Sequence, residues 1–428
     1  MSDREKTLSK QEIGGQSKSL AIDLDRLRAE MDDLGAIGRI AGVPGINRPG
    51  FSDADMEVRA FMADRMKALG MLVSMDAVGN LSGLWQVGEG PAVMAGSHLD
   101  TVPMGGFYDG ALGVAAAMEC VRTLMDADVT PPCPIEVIVT AEEEGRFGGM
   151  LGSQALAGAV DPGWLETAVD EGGTRMVDAM TAQGLAPDAY ETARRERDSV
   201  KAFLELHIEQ GPVLESEGVP IGIVEGISGV FKRSVRLSGV ANHAGTTPMD
   251  LRKDAFVGLV DFARRIPEII AAVGTDQSRV TIGAVDLTPN HPHTIPGEAV
   301  FTLIGRDTDL AVMKAIAAAS REHLEEVASA MGLGLAIDEQ SWLDPKPCDA
   351  TIVAAFRRQA EKLGLGYRLM PSGAGHDTQF MAELTRAGLI FVPSIGGISH
   401  APEEETAWPD IEAGANLLLH TMIDVANG

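Results

Sequence analysis

Apolar positions along the chain fall into two textures. Between Ile22 and Ile40, and again between Asp53 and Leu69, they recur at three- and four-residue spacing with charges between them, which predicts amphipathic helices. Ser52 is placed to cap the second and Gly70 to end it. Short β-rich runs follow at Leu72–Asp76 and Asn80–Trp85, then a buried strand from Pro91 to Ala95 and an Ala-rich helix from Ala111 to Met125. Ile135–Thr140 and Lys201–Ile208 read as further strands, with charged helical pieces across 162–200. Strands alternating with helices predict an α/β fold on a mixed, mostly parallel sheet flanked by helices.

Near Gly222 the texture changes. Val230–Ser238 alternates like a half-exposed strand, Asp254–Ala272 reads as one amphipathic helix, and Leu310–Met331 reads as another. Val280–Val285, Ala299–Leu303 and Leu335–Glu339 supply the remaining strands of a compact α+β module. After Asp349 a helix, a strand and a final helix from Ile411 resume the first texture. The expected organisation is a main domain in two parts, residues 1–221 and 343–428, with an inserted domain at 222–342. Residues 1–18 read as a polar tail.

The chain has 428 residues, 45% of them hydrophobic, enough for two cores. Its 62 acidic residues against 35 basic ones leave a net charge of -27, which argues against nucleic acid or an anionic membrane as partner. An anionic substrate stays open, because local cations reverse the field inside a cleft. The three cysteines, Cys120, Cys133 and Cys348, are too widely spaced for a disulfide framework or a thiolate zinc site. With no signal core and no apolar run long enough to span a membrane, the expected location is the cytoplasm.

Candidate chemistry begins at Gly96-Ser-His98-Leu-Asp100 and continues to Phe107-Tyr-Asp109-Gly110, between a strand and a helix. Ligands bind at that edge in open α/β sheets. His98 offers a ring nitrogen to a metal, Asp100 is positioned to orient the other nitrogen, and Asp109 stands near a helix N-terminus with two oxygens able to bridge two cations. A polar turn with a capping aspartate explains these residues equally well when they are taken alone. Glu142-Glu143-Glu144 ends the next strand. Adjacent side chains there point apart, so one glutamate can ligate while its neighbour moves a proton. His207 on an apolar strand and His400 in a glycine-rich loop are ordinary core and surface histidines when read singly. Together, His98, Asp109, Glu144, His207 and His400 form a nitrogen and carboxylate set without thiolates, suited to Zn, Mn, Co or Ni. Five ligands sharing one carboxylate suit a two-metal hydrolytic site.

In this order and combination the motifs are specific. They are Gly96-Ser-His-Leu-Asp-Thr-Val, Phe107-Tyr-Asp-Gly, Glu142-Glu-Glu-Gly, His207-Ile-Glu-Gln-Gly-Pro-Val-Leu-Glu, Asn242-His-Ala-Gly-Thr-Thr-Pro-Met, Ser372-Gly-Ala-Gly-His-Asp and Ile398-Ser-His, and the resemblance they carry extends from about Asp53 to the last helix. The chain resembles the M20 metallopeptidase-like superfamily, in its amidase branch of N-carbamoyl-L-amino acid hydrolases, β-ureidopropionases and allantoate amidohydrolases.

The resemblance implies a cytoplasmic, homodimeric amidohydrolase with two divalent metal ions per subunit, cleaving a carbamoyl or ureido C–N bond of a small carboxylate-bearing substrate. It makes the inserted domain a lid and dimerisation domain. Asp109 would bridge the metals, with His98 and His207 on one and Glu144 and His400 on the other. Glu143 would be the general base, with Asp100 supporting His98. His243 would reach an active site, expected to be the partner subunit's, to stabilise the oxyanion. Arg306 would hold the substrate carboxylate, a role its planar fork suits. Gln210 would be a substrate-side glutamine, and His376, a further substrate-binding candidate, stands with Asp377 near the site.

Two departures bear on the substrate. His293 stands where the family pattern has a substrate-binding Asn, and Gly305 stands where a bulkier residue precedes the arginine. Competing readings are allantoate amidohydrolase, a dipeptidase- or acylase-like M20 hydrolase, and a non-catalytic metal-binding protein. An intact Glu143 beside a full ligand set argues against the last. A nucleotide-dependent enzyme is disfavoured, because the chain has no phosphate-cradling Gly-x-x-x-x-Gly-Lys-Ser/Thr loop.

Overall fold

The computed structural model describes residues 20–428; the tail expected at 1–18 lies outside them. Asp23 caps the first helix, Leu24–Ala36, by accepting the Arg26 N–H, and Ser52 caps Asp53–Ala68 by accepting that of Asp55. Such caps contribute about 1 kcal/mol each.

Among the described residues, nine strands form the larger sheet. At its centre Ile135–Thr140, Ala92–His98, Val200–Ile208 and Ala387–Val392 lie side by side, all parallel. Every residue of Ala92–His98, Ile135–Thr140 and Ala387–Val392 is buried, as continuous apolar runs covered on both faces require. Leu72–Met75 and Leu81–Trp85 extend one side antiparallel. Ile221–Ile227, Tyr367–Ser372 and Lys346–Pro347 complete the other. The helices Leu24–Ala36, Ala111–Asp126 and Trp408–Asn427 bury Leu27, Met31, Val114, Val121, Leu418 and Met422 in the main core against this sheet.

A separate antiparallel sheet runs in the order Gly334–Leu343, Gly229–Ser238, Glu298–Asp307, Arg279–Thr288. One face packs Phe231, Val235, Phe301 and Leu303 against helices, including Leu310–Met331. The single helix expected over Asp254–Ala272 is two, Ala255–Ala263 and Ile266–Val273, because Pro267 lacks the N–H that would continue the first and instead opens the second. Several strands also run longer than their apolar pattern predicts: Ala92–His98 carries on past Ala95 to place His98 at its end. Gly305 faces this second core, where an added Cβ would lie 2.3 Å from the Phe231 ring. Its small size therefore serves the packing of Phe231 on Trp342, with ring centroids 5.7 Å apart, and does not enlarge a cleft.

Candidate metal centre

Four adjacent parallel strands end on one edge of the larger sheet, and the chain spends its reactive residues there. His98 is the last residue of Ala92–His98 and pairs in register with Thr140, after which the chain turns through Glu142, Glu143 and Glu144. His207 is the penultimate residue of Val200–Ile208, and the loop after Ala387–Val392 carries His400. Asp109 precedes the helix Ala111–Asp126, with Gly110 between. Gly110 has φ +63°, and a Cβ on it would lie 2.4 Å from the His98 ring, so both conformation and space call for glycine. Glu142, Gln210 and His400 also adopt positive φ (54°, 56° and 55°), a strain that clusters at functional sites.

These elements bring two triads together, each with ligand atoms within 4.8 Å of one another: His98, Asp109 and His207, and Asp109, Glu144 and His400. Asp109 Oδ1 lies 3.4 Å from His98 Nε2 and 3.1 Å from His207 Nε2. Its Oδ2 lies 3.5 Å from His400 Nε2, which is 3.2 Å from Glu144 Oε2. Glu143 Oε2 stands 3.6 Å from His98 Nε2.

The donor chemistry fits cations. His98 Nδ1 lies 3.0 Å from the Asp100 carbonyl and His207 Nδ1 2.9 Å from that of Ile208. Each Nδ1 therefore carries a proton and turns Nε2 toward Asp109 Oδ1, two acceptors that need a positive charge, a proton or a metal ion, between them. Electrostatics point the same way. Burial, then Asp109, pushes the Glu144 carboxyl up to about 8. Burial also raises Glu143 well above the ordinary carboxylate range. The hydrogen bond to Asp109, against burial, lifts His400 to about 9. Burial works against charge on His98, yet Glu143 and Asp109 hold its pKa well above that of a free imidazole.

Asp100 meets the second ring nitrogen of His98 through its main chain. Its backbone carbonyl takes Nδ1–H, while its carboxylate accepts the Glu143 and Glu144 N–H groups at 3.3 and 3.0 Å and lies 3.8 Å from Arg59. His376 is buried behind the site: its Nε2 meets Ser372 Oγ at 2.9 Å and its ring packs edge-on against His207. Burial, then His207, holds its pKa well below the usual value, so it is a neutral prop. Gln210 Nε2 donates to Asp109 Oδ2 at 2.7 Å, leaving its buried Oε1 without a partner.

Sequence reasoning missed the supports. Glu404 Oε1 accepts the N–H groups of Tyr108 and Asp109, and Ser399 Oγ, with one proton to donate, lies 3.0 Å from both Glu404 Oε2 and Asp109 Oδ2. Fully buried Arg59 donates to Asp55 and to the carbonyls of Gly79, Val139 and Thr140 beneath the Glu142–Glu144 turn. The available signal was a charged pair at i, i+4 on the apolar face of a helix, between Val58 and Met62.

His243 and His293 lie elsewhere. They sit on a two-stranded ribbon where Thr294 pairs with His243 and the Ala244 N–H bonds the His293 carbonyl. Both are exposed, and the His243 ring is engaged by the Gly245 N–H of its own loop. Arg306 instead lines a cleft of about 610 Å³ between the two sheets, beginning at Gln210, and donates Nη1–H to the Gly373 carbonyl at 2.8 Å.

Residues 94–424 match the model of peptidase family M20/M25/M40. The chain belongs to that family. It is 37% identical over 402 residues to an N-carbamoyl-L-amino-acid amidohydrolase of Paenarthrobacter aurescens, covering 93% of this chain and 97% of that one. It is 38% identical over 389 residues to the allantoate amidohydrolase of Escherichia coli, covering 89% and 93%. A Burkholderia multivorans amidase of the hydantoinase/carbamoylase family superposes with a TM-score of 0.88 at 32% identity, over 96% of this chain and 99% of the other.

Proposed function

We propose that this chain is a two-metal amidohydrolase cleaving the carbamoyl or ureido C–N bond of an N-carbamoyl-L-amino-acid-like substrate. The observation that carries the reading is one buried carboxylate, Asp109, shared by two His/carboxylate triads. In it, His98, Asp109 and His207 would hold one divalent ion and Asp109, Glu144 and His400 the other. When bound, such ions supply a Lewis acid for the carbonyl and lower the pKa of water. Glu143, whose Oε2 stands 3.6 Å from His98 Nε2, takes the proton from the attacking water and delivers it to the leaving nitrogen. The unpartnered Gln210 Oε1 accepts a substrate N–H, and Arg306 seats the carboxylate.

His243 and His293 act in this reading from a second copy of the chain. The support is their exposure on a ribbon engaged with its own loop. The enzyme is then a homodimer whose inserted domain, residues 222–342 between main-domain parts 1–221 and 343–428, serves as lid and dimer contact. No helix among the described residues is long and apolar enough to cross a membrane, and the three cysteines are free and buried, which supports a cytoplasmic location.

A second reading, allantoate amidohydrolase, is favoured by the 38% identity to that enzyme. Protein stripped of metal and reloaded with Mn, Co, Ni or Zn is tested for product release: ammonia from N-carbamoyl-L-amino acids, N-carbamoyl-β-alanine and allantoate, and the free amino acid from N-acetyl amino acids and dipeptides. Metal-dependent release from the carbamoyl compounds is the expected result; preference for allantoate selects the second reading, and activity confined to dipeptides or acyl amino acids overturns both.

A further inference from the structure

The cleft between the two sheets is lined by three arginines, Arg306, Arg279 and Arg368. Arg368 is neutralised by an ion pair with Glu217. The other two are not. Among the described residues no carboxylate oxygen lies within 4 Å of either, in a chain with 62 acids to 35 bases. They are also neighbours: Arg306 and Arg279 are register partners on adjacent antiparallel strands, so their side chains leave the same face of the sheet. Like charges directly opposite in a sheet destabilise it. Burial, with no acid to offset it, lowers the Arg306 pKa.

Their hydrogen bonds show what is left over. Arg306 uses Nη1 on the Gly373 carbonyl, and Arg279 uses Nη1 on the carbonyls of Asp276 and Ser278. Among the described residues neither Nε nor Nη2 of either arginine has a partner, and that is the edge with which a guanidinium grips a carboxylate by two parallel bonds. The acids on the cleft wall do not supply one. The Glu209 carboxylate is taken by the Val213 and Leu214 N–H groups, and the Asp276 carboxylate is in ion-pair contact with neither arginine. Gln210 ties the near end of this cleft to Asp109.

We propose that Arg279 and Arg306 form a twin seat for two carboxylates, so that the preferred substrate is an N-carbamoyl amino acid with an acidic side chain. This rests on the amidohydrolase reading and names its substrate class: Arg306 holds the α-carboxylate and Arg279 the side-chain carboxylate.

The test compares N-carbamoyl-L-glutamate with its neutral isostere N-carbamoyl-L-glutamine on metal-loaded wild type and Arg279→Gln. Wild type should favour the acid by at least about tenfold in kcat/KM, and Arg279→Gln should bring the ratio close to one, through KM for the acid. A wild type indifferent to the side-chain charge overturns the seat. So does an Arg279→Gln protein that loses both substrates alike, the result expected if both arginines clamp one carboxylate. If neither compound is hydrolysed, the amidohydrolase reading fails, and calorimetric binding of N-carbamoyl-L-glutamate decides the seat separately. At least tenfold weaker binding to Arg279→Gln upholds it; equal binding, or none to wild type, overturns it.

Discussion

The edge of the parallel sheet and the His243/His293 ribbon carry the same kind of residue under opposite conditions. At the edge, His98 and His207 are 2% exposed, and each ring is fixed at Nδ1 by a carbonyl. Asp109 is held through its N–H by Glu404 and through its carboxylate by Gln210 and Ser399. On the ribbon, two residues pair with two, and both histidines are exposed. Prearranged geometry belongs where charge must be held before substrate arrives. A mobile contact suits a group that completes the site afterwards. The difference separates a centre that should survive the loss of most single functional groups from a ribbon whose loss costs rate alone.

The sharpest way to break that comparison is at the proposed base. Glu143→Gln should lower kcat by about 10³-fold or more while metal content, read by elemental analysis, stays at the wild-type level. Equal loss of metal would make Glu143 a ligand instead. Next is the support beneath the edge. Arg59→Met strands the Asp55 carboxylate and three carbonyls in the core and should cost roughly 3–5 kcal/mol in denaturant unfolding. A change near zero would show that the buried ion pair does not hold the turn. On the ribbon, His243→Ala should reduce kcat by about 10²–10³ with metal and stability unchanged. Mixed dimers of His243→Ala with Glu143→Ala should regain activity, and none regained would refute a role across the subunits. The smallest effect is at the end of the helix Ala255–Ala263, where the exposed Arg264 pairs with Asp261, a carboxylate also held by Arg265. Arg264→Ala should leave the melting temperature unchanged within error.

The legibility of the sequence followed the same divide. His98, Asp109, Glu144, His207 and His400 could be picked out because strand ends and the loops after them are read directly from apolar runs and the polar residues that stop them. That the chain would return each to one edge follows from parallel strand order. The supports were not legible, because they act by backbone groups and by distance in sequence. Asp100 was expected to orient the second ring nitrogen of His98, and the group that meets this nitrogen is its backbone carbonyl, which no side-chain pattern reveals. Glu404 reaches Asp109 from 295 residues away. Arg59 looked like one more charge on an amphipathic helix, although it is fully buried. The break between Ala263 and Ile266 was legible in Pro267 and was overridden in the expectation by the apolar periodicity on both sides of it.

The account turns on Asp109 serving two cations at once. Calorimetric titration of metal-stripped protein with Zn or Mn, on wild type and Asp109→Ala, tests this directly. Two ions per wild-type chain and the weakening of both by the substitution are predicted. One ion per wild-type chain, or an Asp109→Ala protein that still binds one ion at full affinity, would contradict the shared carboxylate.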